Sequence, residues 1–113
     1  MSERALTLDL PGADLPGAGD PVITDIVAGA LSSIDADLPG ASAQAAASLG
    51  IEAGAEQVLL ILVDGLGYEL IQEYAGHAPT LRRLRGDMRS IHTVVPSTTA
   101  AAITAFGTGA RPG

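Results

Sequence analysis

The chain has 113 residues, enough for one small domain but short for an enzyme built on a large α/β sheet. Apolar residues make up 47% and aromatics only 3%, so Ala and Gly supply much of the packing material and bury little area each. Net charge is −7, with no Lys and no Cys. This argues against a nucleic-acid backbone or an anionic membrane as partner, and excludes disulfides, thiolate metal sites and cysteine nucleophiles.

The charge is unevenly placed. Residues 1–63 hold nine acids against Arg4, giving −8, while residues 64–113 hold four acids against five Arg, giving +1. The N-terminus has no apolar stretch of signal-peptide type, and the longest run of large aliphatics is six residues, far below a membrane span. A cytoplasmic protein is expected, with no membrane partner.

Residues 1–20 read as a flexible lead-in. Asp9-Leu10-Pro11-Gly12-Ala13 recurs as Asp14-Leu15-Pro16-Gly17-Ala18 and as Asp37-Leu38-Pro39-Gly40-Ala41. In Leu-Pro-Gly, Pro fixes φ and Gly accepts a positive φ, which is turn chemistry. The unequal spacing argues for low-complexity linker rather than a solenoid.

Asp20-Pro21 suggests an N-cap and a first-turn proline, and Ile23, Ile26, Val27, Ala30, Leu31 and Ile34 recur at helical spacing. A helix over about 21–33 is predicted. An Ala-rich helix over about 41–49 follows, ended by Gly50.

Val58-Leu59-Leu60-Ile61-Leu62-Val63 reads as a strand buried on both faces of a parallel sheet. Asp64 ends it, and Gly65 and Gly67 turn the chain into a helix over about 68–75. Short helix at 79–85, strand at 88–95 stopped by Pro96, and a small-residue helix at 99–106 complete the series. The alternation is the βαβα pattern of a layered α/β protein, which gathers functional groups at the carboxyl ends of strands.

Asp64 and the segment Pro96-Ser97-Thr98-Thr99 fall at such ends. A carboxylate is a hard ligand suited to zinc, manganese or magnesium. A threonine hydroxyl becomes a competent nucleophile when a metal lowers its pKa, and a helix N-terminus favours the alkoxide and a phosphate. Taken alone, Asp64 suits an N-cap equally well, and Thr98 competes with Thr99 as nucleophile.

Val63-Asp64-Gly65-Leu66-Gly67, then Pro96-Ser97-Thr98-Thr99, then Thr108-Gly109-Ala110-Arg111-Pro112 together resemble the alkaline phosphatase superfamily. The pattern is most similar to the nucleotide pyrophosphatase/phosphodiesterase (type I phosphodiesterase) branch. There the nucleophilic Thr lies three residues after Pro, Thr-Gly nine further on, and Pro three beyond Gly, as at Thr99, Thr108-Gly109 and Pro112. The resemblance covers residues 58–113.

The resemblance implies a layered α/β fold with a mostly parallel sheet flanked by helices, incomplete in this chain. It implies that residues 21–113 are the N-terminal part of a catalytic domain hydrolysing phosphodiesters or phosphoanhydrides through a covalent phospho-threonine. Asp64 and Thr99 are then ligands of one of two divalent metals, zinc first, with manganese or magnesium as alternatives, and Thr99 is the nucleophile. The partner is a small phosphoester, nucleotide-like, and not a nucleic-acid polymer. Further Asp and His ligands would lie beyond Gly113, so the chain alone is expected to be inactive. Where eukaryotic ectoenzymes of this branch carry Pro-Asn-His, this chain has Ala101-Ala102-Ile103, which removes an Asn that can meet substrate phosphate.

Other readings compete. A phosphomutase relative in the same superfamily shares these residues. Gly65-Leu66-Gly67-Tyr68-Glu69-Leu70 begins like a dinucleotide fingerprint, but Leu70 replaces the third glycine. A non-catalytic remnant or interaction domain would use neither Asp64 nor Thr99. His77 and His92 read as structural, and Arg82, Arg83, Arg85 and Arg89 as a solvated face.

Overall fold

The computed structural model describes residues 16–95 and 97–111. The first Asp-Leu-Pro-Gly-Ala copy, most of the predicted lead-in, Pro96 and Pro112 lie outside the described residues. Five α-helices follow one another: α1 (Asp25–Ile34), α2 (Ala43–Leu49), α3 (Tyr68–Glu73), α4 (Pro79–Arg83) and α5 (Thr99–Thr108), with a 3₁₀ turn at Ala75–His77.

Helix α1 begins four residues later than its sequence suggests. Val22 forms a parallel bridge with His92, through Ile23 N–H to His92 O at 2.9 Å and His92 N–H to Pro21 O at 3.0 Å. That pairing takes residues 21–23 out of the helix. Thr24 becomes the N-cap without a side-chain cap bond, while the Asp20 carboxylate accepts the Gly17 amide at 2.7 Å instead.

Helices α1 and α2 pack through their smallest residues. A Cβ on Gly29 would lie 3.1 Å from Ala46 N and 3.2 Å from Ala46 Cα, so a side chain there would require the helices to give by a few tenths of an ångström. Gly29, Ala30, Ala45 and Ala46 are buried there. The Ser42 hydroxyl caps α2 by accepting the Ala45 amide at 3.1 Å, and Gly50, at φ 67°, ends it as predicted. Between the helices, Ala41 N–H bonds Leu38 O at 2.9 Å with Gly40 at φ 84°, the turn predicted for Leu-Pro-Gly.

Neither predicted strand is formed among the described residues. Among the described residues the single bridge at Val22 and His92 is the only β pairing, and Val58–Val63 is exposed along its whole length. Leu59 is 83% and Ile61 76% exposed. A strand is stabilised by ladder bonds to neighbours, and among the described residues no segment lies alongside this run to supply them. The 88–95 segment spends its one pairing on Val22.

The later helices are shorter or longer than expected for local reasons. Tyr74 leaves helical geometry at φ −103° and ψ 21°, so α3 stops at Glu73. Helix α4 stops at Arg83 and gives way to turns over 84–87. Helix α5 runs on through Gly107 and ends at Gly109, in the left-handed region at φ 67°. Thr108 Oγ1 secures that end by donating to Thr104 O at 2.7 Å and accepting the Ala110 amide at 3.2 Å. Ala105 anchors α5 at 1% exposure.

Candidate active site

Asp64 sits in a turn with Gly65, whose φ of 71° reverses the chain between the apolar run and α3. The carboxylate does not cap α3. The N-cap there is Gly67, and no side chain bonds to the helix start. Among the described residues the Asp64 carboxylate accepts no hydrogen bond and joins no ion pair.

Ser97, Thr98 and Thr99 lead into α5, and the two threonines divide the work. Thr98 is the N-cap, at φ −78° and ψ 150°, and its Oγ1 accepts the Ala101 amide at 3.3 Å. Thr99 is the first helical residue, exposed, and its hydroxyl has no partner among the described residues. The positive end of the α5 dipole lies beside it.

One cleft of about 400 Å³ brings Asp64 and Thr99 together. Leu62 to Gly67 form one wall, and Ser97, Thr99, Ala102 and Ile103 the other. Ile23 and Thr93 complete it. Thr98 is absent from this lining and faces a separate hollow with Ala101, Thr104 and Thr108. Ala102 and Ile103 therefore present apolar surface where the ectoenzyme pattern has an amide.

Ser97 and Thr93 add two hydroxyls that sequence reading did not place in the site. The signal for Ser97 was its position between Pro96 and the threonines.

The other singled-out residues lie elsewhere. His92 makes the bridge to Val22, with Nε2 3.8 Å from Asp20 Oδ2. His77 ends the 3₁₀ turn, its ring 6.4 Å from that of Tyr74. Arg82, Arg83, Arg85 and Arg89 are exposed, and Arg85 Nε donates to Gln72 Oε1 at 2.6 Å. Arg111 lies against Val22 and Thr24, away from Asp64.

A carboxylate and a hydroxyl on one cleft suit a hard divalent cation in donor type. They fall short in number. Among the described residues no three His, Asp or Glu side chains gather closely enough to hold an ion. No helix among those residues is long and apolar enough to cross a membrane.

Residues 58–113 match the family described as type I phosphodiesterase / nucleotide pyrophosphatase. No curated protein and no solved structure matches the chain significantly. The matched stretch takes in the apolar run, Asp64, Thr99 and the Thr108-Gly109 helix stop, and leaves α1 and α2 outside. The match implies an alkaline-phosphatase-like α/β fold. The part of the chain that builds most of the cleft, residues 58–113, is thus the part that is similar to the type I phosphodiesterase / nucleotide pyrophosphatase family.

Proposed function

We propose that the Asp64–Thr99 cleft belongs to a metal-dependent phosphoesterase site acting on small phosphodiesters or phosphoanhydrides. Thr99 is its nucleophile, and Asp64 and Thr99 are ligands of one of two divalent cations, zinc foremost. The observation that carries this reading is the shared cleft. Asp64 and Thr99 line it with uncommitted oxygen atoms, whereas Thr98 is spent on its helix cap and faces away.

Bound at Asp64 and Thr99, the cation would supply acidification of the threonine hydroxyl and neutralisation of phosphate charge. Thr99 Oγ1 then forms its bond to phosphorus in line as the opposite P–O bond breaks, and the leaving oxygen departs with the electron pair. Water cleaves the resulting phospho-threonine and restores the hydroxyl. The start of α5 favours both the alkoxide and the phosphate oxygens.

The remaining metal donors come from polypeptide other than the residues described here. In that setting Val58–Val63 gains neighbours and becomes a strand of a mostly parallel sheet flanked by helices. Hydrolysis of bis(p-nitrophenyl) phosphate by the metal-loaded holoenzyme tests the reading. Thr99→Ala is expected to abolish turnover and leave metal content unchanged, and Asp64→Asn to reduce both. Normal turnover in Thr99→Ala would overturn it.

A further inference from the structure

Ile23 is the one residue lining the Asp64–Thr99 cleft that comes from outside residues 58–113. Backbone bonds seat it there. Ile23 N–H donates to His92 O at 2.9 Å, and His92 N–H donates to Pro21 O at 3.0 Å. The strap is tied at both ends. On the α1 side, Asp25 N–H donates to Val22 O at 2.9 Å, and Val22 N–H donates to Asp25 Oδ2 at 3.2 Å. On the other side, Asp20 Oδ2 lies 3.8 Å from His92 Nε2.

Val22 and Ile23 serve different hollows. Val22 is buried and lines one of about 230 Å³, whereas Ile23 lines the cleft of about 400 Å³ that holds Asp64 and Thr99. Successive residues of paired, extended chain face opposite ways, so the register with His92 decides which side chain the cleft receives. Of the large aliphatic residues in the cleft lining, Leu62, Val63, Leu66 and Ile103 are exposed, and Ile23 is half-buried. Ile23 is therefore the apolar wall held most closely by its surroundings.

In-line attack expels one substituent of a phosphodiester and keeps the other on phosphorus. The kept substituent must fit between the reacting centre and the walls of the same cleft. We infer that Ile23 is a specificity-determining residue, which limits the bulk of the substituent kept on phosphorus when Thr99 attacks. This role rests on Thr99 as the proposed nucleophile, and it is steric. A fixed, packed wall yields little to added volume, so trimming Ile23 admits a larger group and enlarging it excludes one.

The test uses the metal-loaded holoenzyme and two diesters with a common leaving group, methyl p-nitrophenyl phosphate and 1-naphthyl p-nitrophenyl phosphate. Only the kept arm differs, so the ratio of their kcat/KM values reads its fit. Ile23→Ala is expected to raise the naphthyl-to-methyl ratio about tenfold, and Ile23→Phe to lower it about tenfold. A merely structural role would depress both substrates together and leave the ratio in place. Should Ile23→Ala unfold the protein, Ile23→Val takes its place, with a smaller rise expected.

An unchanged ratio, or one that moves the same way in the trimmed and enlarged variants, would overturn the assignment of Ile23. Absence of turnover of both diesters by the parent holoenzyme would instead overturn the reading of Thr99. The filter is then read from binding, with 1-naphthylphosphonate titrated against methylphosphonate on the same proteins. Opposite shifts of that affinity ratio in the two variants are expected, and an unmoved ratio would overturn the filter.

Discussion

The hydroxyl of Thr98 accepts the amide of Ala101 at 3.3 Å, and this bond separates two adjacent threonines that compete as nucleophile. Thr98 closes the start of α5, and Thr99 is left on the Asp64 side. Removing the cap should cost stability rather than chemistry. Thr98→Ala is expected to lower unfolding stability by about 1 kcal/mol, and Thr98→Ser or Thr98→Asp to restore most of it. Urea denaturation followed by circular dichroism measures the difference; equal stability of Thr98→Ala and the parent would show that the cap contributes nothing.

Two glycines make opposite demands. Gly29 faces Ala46 so closely that a Cβ would lie 3.1 Å from Ala46 N, so Gly29→Ala should push α1 and α2 apart and destabilise by about 1–3 kcal/mol. Gly107 lies inside α5 with nothing within 4 Å of a built Cβ. Gly107→Ala should therefore stabilise by about 0.5–1 kcal/mol through helix propensity. Thermal melts of the two variants should move in opposite directions, and a shift of the same sign in both would contradict this packing.

The apolar run should govern association. Val58–Val63 exposes six large aliphatic side chains in a row, a surface that templates contact with other chains. Concentration-dependent self-association is expected in sedimentation velocity. Leu59→Lys with Ile61→Lys should suppress it without altering the helical circular dichroism, since neither side chain is buried. A monomeric parent chain at high concentration would argue that the run is covered.

What was legible in the sequence was mostly local. Gly50 ends α2, Pro79 opens α4, and Leu38-Pro39-Gly40 turns as its composition dictates, because each acts through its own backbone. Asp20-Pro21 misled because a long-range pairing with His92 overrode a local cap signal. Val58–Val63 is a different case: its apolar character specifies burial in a sheet, but the ladder depends on partners that its own residues do not encode, and among the described residues none pairs with it. Asp64 and Thr99 line one cleft, although the strand ends from which the sequence paired them are not formed among the described residues. The helix start read at residue 99 already put Thr98 at the cap position, and the bond from the Ala101 amide agrees with that start. Arg89, read as solvated face, is exposed.

The 113-residue chain alone is expected to show no turnover of bis(p-nitrophenyl) phosphate, even with zinc or manganese added. As the proposed ligands Asp64 and Thr99 would supply two donors, while two catalytic metals would require roughly six to eight in total. Metal titration by calorimetry should accordingly show no tight site. Robust turnover on a well-folded sample would contradict the donor count and require a different ligand set.

The most direct measurement is acid-quenched mass spectrometry of the metal-loaded holoenzyme during phosphodiester turnover, read on the peptide containing Ser97 to Arg111. The account predicts a phosphate on Thr99, absent from Thr99→Ala, whose turnover falls by roughly 10³-fold or more. Phosphate on Thr98, or undiminished turnover in Thr99→Ala, would contradict it.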